Sequence, residues 1–160
     1  MTYIRDSAIK NPKYLVTTHT SSQITVNSGN SFITISGSEI SYAPVSNSDK
    51  VVYEISFYAE KITGRVFQCL QLEEYDGSSW TEINEKFRKN FGVASGGNQE
   101  NRYYLYFRFV LPSWSGEKQL RLTSSDSTSG RQAHYHQLTH WDGASVTDQF
   151  CNTNLLVYSI

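Results

Sequence analysis

Three closely spaced histidines are the residues of this chain best suited to chemistry. His134 and His136 flank Tyr135, and His140 follows on the same predicted strand. Imidazoles two residues apart on an extended chain point to one face and could share a zinc or nickel ion with a third ligand, but His140 lies too far along the strand to close that site unaided. The sequence therefore favours no metal and no cofactor. It places His134 and His136 on a solvent or inter-subunit face, where protonation at about pH 6 would oppose association with copies of the chain by like-charge repulsion.

Tryptophans at or near predicted turns offer a second kind of chemistry, which is stacking on sugar rings. Trp114 follows Pro112 and has serines on both sides, so the sequence gives few reasons for its burial. Exposed tryptophan beside Asn, Asp and Gln is how β-sandwich modules hold saccharides, since the indole is both flat and apolar. Trp114 is therefore the candidate ligand-binding residue. Trp80 and Trp141 are expected to pack in the core or in an interface.

Catalytic signatures are missing from the sequence. Glu73 and Glu74 are adjacent, so their carboxylates point to opposite faces of a strand and do not form the facing pair that glycoside hydrolysis needs. There is no Gly-x-Ser-x-Gly elbow, no phosphate-binding glycine loop and no Cys-x-x-Cys motif. Cys69 and Cys151 lack metal-ligand spacing and are expected to be free buried thiols rather than a disulfide. The sequence predicts a protein that is not an enzyme.

The charge balance and the N-terminus exclude further classes of partner. The 14 Lys and Arg residues nearly balance the 15 Asp and Glu residues, which removes the broad positive field that nucleic-acid binding requires. The first ten residues contain no continuous apolar segment, and no apolar run approaches the length of a membrane span. We therefore expect a soluble, leaderless protein with neither a nucleic-acid nor a membrane partner.

The elements that must position these residues are β-strands. The chain holds 11 Tyr and 8 Phe but one Met. Apolar and polar residues alternate along Val51–Glu60, and Tyr103–Leu111 is a second long run of aromatic and other apolar residues. We expect these two long strands to face each other across a core about 10 Å thick. Shorter strands recur about every ten residues between Gly and Asn turns, the pattern of a sandwich or jelly roll. The prediction is an all-β, jelly-roll-like antiparallel β-sandwich with about nine to eleven strands.

Two regions outside the regular strands are expected to make contacts. Residues 1–20 have only brief apolar pieces and form an N-terminal arm or edge strand, with the arm favoured, while residues 21–160 form the single jelly-roll domain. The candidate assembly residues of the arm are Tyr3, Ile4, Ile9 and Tyr14. Residues 84–101 are predicted to form a short helical turn followed by a long loop, of the kind that is often functional. Between the two regions, Asp76-Gly77 predicts a hairpin turn.

Several stretches resemble known modules. The run Gly37–Pro44, the strand start Lys50–Phe57, and the ending with Trp141-Asp142-Gly143 and Asn154–Tyr158 are similar to modules in predicted virion proteins of marine tailed phages. The likeness runs from about Ser36 to the end of the chain and is a pattern of strands and turns rather than a catalytic motif.

The resemblance implies a small jelly roll of the kind found in tumour-necrosis-factor-like and complement-C1q-like trimers. It implies a virion protein, assembled in the host cytoplasm, whose partners are copies of itself in a homotrimer and the major capsid protein or another virion protein. Capsid decoration that clamps neighbouring capsid subunits is the favoured function. The alternatives are a receptor-binding tail or head fibre knob that contacts host surface glycan through Trp114, and a free carbohydrate-binding module.

Overall fold

Strands form nearly all of the ordered elements, as the alternation predicts. The computed structural model describes residues 9–26, 31–63, 66–93, 101–126, 132–141 and 143–160. Within these ranges there are fourteen strands and one short 3-10 helix, Glu85–Phe87. The strands are β1 (Lys10–Thr17), β2 (Gln23–Val26), β3 (Ile33–Thr34), β4 (Ile40–Tyr42), β5 (Lys50–Thr63), β6 (Val66–Tyr75), β7 (Trp80–Glu82), β8 (Lys89–Val93), β9 (Asn101–Pro112), β10 (Lys118–Asp126), β11 (Gln132–Tyr135), β12 (Gln137–Trp141), β13 (Val146–Phe150) and β14 (Thr153–Ser159).

Two antiparallel sheets pack face to face, so the predicted all-β sandwich is confirmed. Sheet A has the order β1-β14-β5-β11-β2, with β9 on the other edge of β5. Sheet B has the order β3-β10-β6-β7, and β4 also pairs with β10 while β8 also pairs with β6. A separate hairpin joins β12 to β13. The strand number exceeds the predicted range because some strands are very short, such as the two residues of β3.

The core lies between the sheets and uses one parity of each strand. In sheet A it takes Tyr53, Ile55 and Phe57 of β5, and in sheet B it takes Leu70 and Leu122, all at most 1% exposed. Burying an apolar side chain of this size stabilises the fold by about 1.5–3 kcal/mol. The phenol of Tyr53 donates a 2.6 Å hydrogen bond to the carbonyl of Ser38, so its buried polar atom is satisfied.

The expected relation between the two long strands is wrong. β5 and β9 do not face each other across the core but are hydrogen-bonded neighbours in sheet A, where Tyr53 pairs with Phe109 and Ile55 pairs with Phe107. Both strands still turn one parity toward the core, which sheet B closes from the other side. Alternation reports which side of a strand is buried, but it does not report which strand lies opposite.

The N-terminal region is an edge strand rather than a free arm over residues 10–17. β1 pairs antiparallel with β14 from Lys13 to Thr17, so one side of its backbone is hydrogen-bonded within the subunit. Residues 1–8 lie outside the described residues.

The predicted Asp76-Gly77 hairpin turn is confirmed between β6 and β7. Gly77 has a φ of +100°, and the Asp76 carboxylate accepts 2.8 Å hydrogen bonds from the backbone N–H groups of Ser78 and Ser79. The hydrogen bonds from Ser79 and Ser78 lower the pKa of Asp76 to about 2. The predicted helical turn after residue 84 is the 3-10 helix, which Asn84 caps by accepting from the N–H of Lys86. Residues 94–100 of the predicted loop lie outside the described residues.

Candidate assembly face and Trp114 loop

One surface of sheet A exposes large apolar side chains, and we call it the aromatic face. Tyr14 on β1 is 63% exposed, and Tyr104 and Tyr106 on β9 are 57% and 56% exposed. Tyr104 and Tyr106 have the parity opposite to the buried Phe109 and Leu111 of β9, so they point away from the core. β1 has no buried residue, and Tyr14 is assigned to the same face by its pairing with Leu156. The exposed members of the aromatic face are Tyr14, Val16, Tyr104, Tyr106 and Val110.

Strand register makes the aromatic face continuous across four strands. Tyr14 lies opposite Leu156, Leu156 opposite Glu54, and Glu54 opposite Arg108. With neighbouring strands about 4.8 Å apart, this row spans about 14 Å. The face therefore reaches from the edge strand β1 to the edge of sheet A at β9.

The charges at the centre of the aromatic face neutralise each other. Arg108 Nε lies 3.1 Å from Glu54 Oε1, and the Tyr158 hydroxyl donates to the same oxygen at 3.0 Å. Burial, followed by the hydrogen bond to Glu54, raises the pKa of Tyr158. Burial and the Glu54 carboxylate also raise the pKa of Tyr106. Both phenols therefore stay neutral, and a partner meets hydroxyls and ring faces rather than a net charge.

A hollow of about 170 Å³ lies in the aromatic face. Tyr14 and Tyr106 line two of its sides, with Leu156 and Asn154 also contributing. Tyr14 is held in place because its hydroxyl donates a 2.9 Å hydrogen bond to Asn154 Oδ1. A depression of this kind can be filled by side chains of a complementary protein surface.

The predicted assembly residues of the N-terminal region fall in three places. Tyr3 and Ile4 lie outside the described residues. Ile9 precedes β1 and is 59% exposed, and Tyr14 belongs to the aromatic face. A role in assembly stays a prediction for all four.

His134 and His136 do not share a face, which corrects the sequence expectation. His136 has a φ of +65°, and this left-handed residue interrupts the extended chain between β11 and β12. Its ring is therefore turned inward and is fully buried, rather than lying on a solvent or inter-subunit face. His134 is half-buried on β11, with Nδ1 3.2 Å from Gln137 Oε1, and its role in assembly stays a prediction.

The His136 ring joins a hydrogen-bonded cluster that the sequence did not predict. It stacks on His19 with centroids 3.8 Å apart, and Thr153 Oγ1 lies 3.1 Å from His136 Nδ1 and 2.9 Å from His19 Nε2. Thr153 Oγ1 also lies 3.3 Å from the carbonyl oxygen of Ser36, so one hydroxyl links both imidazoles to the backbone. The buried Nε2 of His136 has no hydrogen-bond partner in the described chain. Burial, and then His19, lowers the pKa of His136 to about 3.

Trp114 is half-buried rather than exposed. Its ring packs against the core and meets Tyr42 edge-on with centroids 6.3 Å apart, while Lys118 Nζ lies 5.7 Å from its centroid. Its indole N–H is buried without a partner in the described chain. The expected exposure is wrong because the ring reaches down to Tyr42, and its role in ligand binding stays a prediction.

The remaining reactive groups are dispersed. Cys69 and Cys151 are free thiols, as predicted, but they are half-buried, and burial raises the pKa of each. Within the described ranges, no group of three or more His, Cys, Asp or Glu residues could hold a metal ion. No helix among those residues is long and apolar enough to cross a membrane.

Comparisons with known proteins give distant structural similarities. No family model matches the chain, and no curated protein matches it. It is similar to a chain in a structure of infectious bursal disease virus, Gx strain, with 13% identity over 95% of this chain and a TM-score of 0.37. It is also similar to the enzymatically active domain of tailspike protein 4 of bacteriophage CBA120, with 13% identity over 78% of this chain and a TM-score of 0.32. The chain spans 38% and 18% of those two chains, and likenesses at this level assign neither a family nor a function.

Sequence reasoning missed Tyr104 and Tyr106 as surface residues. The strand carries aromatic side chains on both parities, so hydrophobicity alone does not say which side is buried. The available signal was Arg108, which shares the parity of Tyr104 and Tyr106 and marks the solvent side of β9.

Proposed function

We propose that the chain is a structural protein on the surface of a bacteriophage particle, where it forms homotrimers that bind the major capsid protein. The exposed aromatic face is the observation that carries the assembly part of this proposal. The placement on a phage particle is supported by the resemblance of Gly37–Pro44 and Lys50–Phe57 to phage virion modules.

The aromatic face has the area and the chemistry of a subunit interface. Monomeric soluble proteins rarely expose contiguous apolar patches larger than a few hundred Å². A tyrosine buries about 150–250 Å² when covered, and the exposed fractions of Tyr14, Tyr104 and Tyr106 exceed one half. Together with Val16 and Val110 they offer on the order of 500 Å², more than half of the roughly 800 Å² that each partner contributes to a standard interface.

The electrostatics of the aromatic face suit a contact between identical surfaces. A charged surface would repel its own copy, whereas Glu54 and Arg108 are already paired within one subunit. Tyrosine rings can be covered while their hydroxyls keep hydrogen-bond partners. Three copies arranged around an axis would bury the aromatic face of sheet A. Sheet B and the loops would then remain available to bind the capsid.

The oligomeric mass tests the assembly part. We expect the wild-type protein to have about three times the 18.2 kDa mass of one chain in light scattering, and the double variant Tyr14→Ser, Tyr106→Ser to have the mass of one chain with the same circular dichroism spectrum. Phe150→Ser is the matched control, because Phe150 is 40% exposed on β13 and lies outside the aromatic face. A wild-type monomer at tens of micromolar, or a trimeric double variant, would contradict the proposal.

Location in the particle tests the virion part. Cryo-microscopy of intact particles of the phage that encodes the chain should place it on the capsid lattice. Deleting residues 1–9 removes the segment before β1 and leaves every described strand intact, so we expect this variant to fold but to lose capsid attachment. Retained attachment would exclude a clamp made by that segment, and density at the tail tip would favour the alternative of a receptor-binding fibre knob.

A further inference from the structure

We propose that the cleft between residues 44–48 and residues 113–116 is a binding site for a neutral saccharide. This inference goes beyond the proposed function and does not depend on trimer formation, because the cleft lies in loops rather than on the aromatic face.

Strand register brings the two loops together. One loop connects β4 to β5 and the other connects β9 to β10, and Lys50 at the start of β5 pairs with Pro112 at the end of β9. The loops therefore leave sheet A side by side at one end of the sandwich. Between them is an open cleft of about 430 Å³, within the range of sites for small ligands.

Hydrogen bonds between the loops shape the cleft before any ligand binds. Ser48 Oγ donates to the carbonyl of Val45 at 2.8 Å and lies 2.8 Å from Ser113 Oγ. The N–H of Ser113 donates to the carbonyl of Asp49 at 3.1 Å. A site already held in one shape loses less conformational entropy when a ligand binds.

The lining matches the chemistry of a sugar. Ser46, Asn47 and Ser115 are exposed in the cleft, and their side chains make no hydrogen bond within the described chain. Hydroxyl and amide groups both donate and accept, as sugar hydroxyls do. No Lys, Arg, Asp or Glu residue lines the described cleft, so the complementary ligand is neutral.

Trp114 supplies the apolar wall that these polar groups need. Its ring lines the cleft, and its buried N–H has no acceptor within the described chain. The flat apolar ring is a surface on which the C–H face of a sugar can stack while the neighbouring hydroxyl and amide groups bind its hydroxyls. The combination of an indole with several free hydroxyl and amide groups is what separates this cleft from an ordinary surface depression.

The other tryptophan with a described side chain shows the contrast. Trp80 also borders a hollow, of about 200 Å³, but that hollow includes Glu39, and the Arg121 guanidinium already lies 4.2 Å from the Trp80 centroid. Lys118 Nζ also lies over the Trp114 ring, but at 5.7 Å, so the Trp80 ring is the more closely covered of the two, and only its hollow includes a carboxylate. Trp80 is therefore the natural control for Trp114.

The experiment uses the full chain on an array of neutral and acidic glycans, followed by titration of the strongest neutral ligand. Ser46→Trp fills the cleft at an exposed position and should raise Kd at least about ten-fold. Trp114→Phe keeps an aromatic ring but reduces the surface available for stacking, and it should raise Kd several-fold. Trp80→Phe should bind like the wild type. Circular dichroism and thermal melting of each variant report whether it is folded.

Three results would overturn the proposal: no glycan retained at millimolar concentration, retention of acidic glycans alone, or unchanged affinity in the folded Ser46→Trp variant. None of these results bears on the mass of the assembly or on its place in the particle, so failure of the saccharide site and failure of the proposed function are distinguishable.

Discussion

The outer faces of the two sheets differ in how far their side chains are buried and hydrogen-bonded within the subunit. On sheet B, Glu73 accepts hydrogen bonds from Gln71 at 2.7 Å, from Arg121 at 2.8 Å and from Thr123 at 3.2 Å. The acceptor and two of its donors, Gln71 and Thr123, are buried, so little bonding capacity is left for a partner. On sheet A, the rings of the aromatic face stay exposed, although Glu54 and Arg108 are paired at its centre and the Tyr14 hydroxyl donates to Asn154. A polar network that is satisfied within the subunit stabilises the fold, whereas exposed aromatic area remains available for assembly.

The ion pairs of the two faces show the same division. The Arg121 and Glu73 side chains are 21% and 8% exposed, compared with 50% and 18% for Arg108 and Glu54. Water screens the more exposed pair and reduces its contribution to stability. We therefore expect substitutions on sheet B to change the free energy of unfolding and substitutions on the aromatic face to change the oligomeric mass.

The largest expected effect is that of Glu73→Ala. This change leaves Arg121, Gln71 and Thr123 without their shared acceptor in a buried place, so the free energy of unfolding should fall by about 3 kcal/mol. The free energy of unfolding is measured with urea in a background that carries Tyr14→Ser and Tyr106→Ser. These two substitutions are expected to give a monomer, so that assembly does not contribute to the measured value. A loss below about 1 kcal/mol would remove the distinction between the two faces.

The second effect is acid destabilisation, which should act first on sheet A. His136 has a pKa of about 3 in the folded protein and 6.5 as its ordinary value, so the unfolded chain binds more protons between these values. The stability linked to His136 is therefore complete above about pH 6.5 and is lost as the pH falls toward 3. At pH 5 the loss from His136 should be about 2 kcal/mol.

Urea unfolding of the wild type and of His136→Leu at pH 7 and pH 5 tests the acid effect. The variant has no imidazole at this position, so the part of the loss in unfolding free energy that is due to His136 should be absent from it. If the variant does not fold, hydrogen exchange of the wild type answers the same question. His19 follows β1 and Thr153 begins β14, so amides of β1 and β14 should lose protection at pH 5 before those of β6 and β10. Equal loss in both sheets would show that the histidine cluster does not control the response.

The smallest effect is expected for Glu74→Ala, the residue next to Glu73. Glu74 lies 2.6 Å from Lys118 Nζ, but the two side chains are 30% and 36% exposed, so the pair should contribute only about 0.5 kcal/mol. The same urea measurement applies. A loss equal to that of Glu73→Ala would mean that burial does not distinguish the two carboxylates.

Much of the secondary structure and little of the candidate sites could be predicted from the sequence. Val51–Glu60 and Tyr103–Leu111 are strands, and Asp76-Gly77 is a hairpin turn, because alternation and turn preferences are local properties. The adjacent Glu73 and Glu74 do bind different basic side chains, as the two-residue period of a strand requires. The parity argument failed at His136 because one left-handed residue interrupts the extended chain.

The sequence by itself determined that this protein is an antiparallel β-sandwich and that one parity of Val51–Glu60 is buried, since local periodicity selects the side that leaves water. Only the tertiary structure decided that β5 and β9 are neighbours and that β1 is an edge strand on β14. It alone brought Ser46 and Asn47 to Trp114, and His19 to His136. These juxtapositions join residues that are tens of positions apart in the chain, and no local pattern encodes them because they depend on which strands pair and in which register.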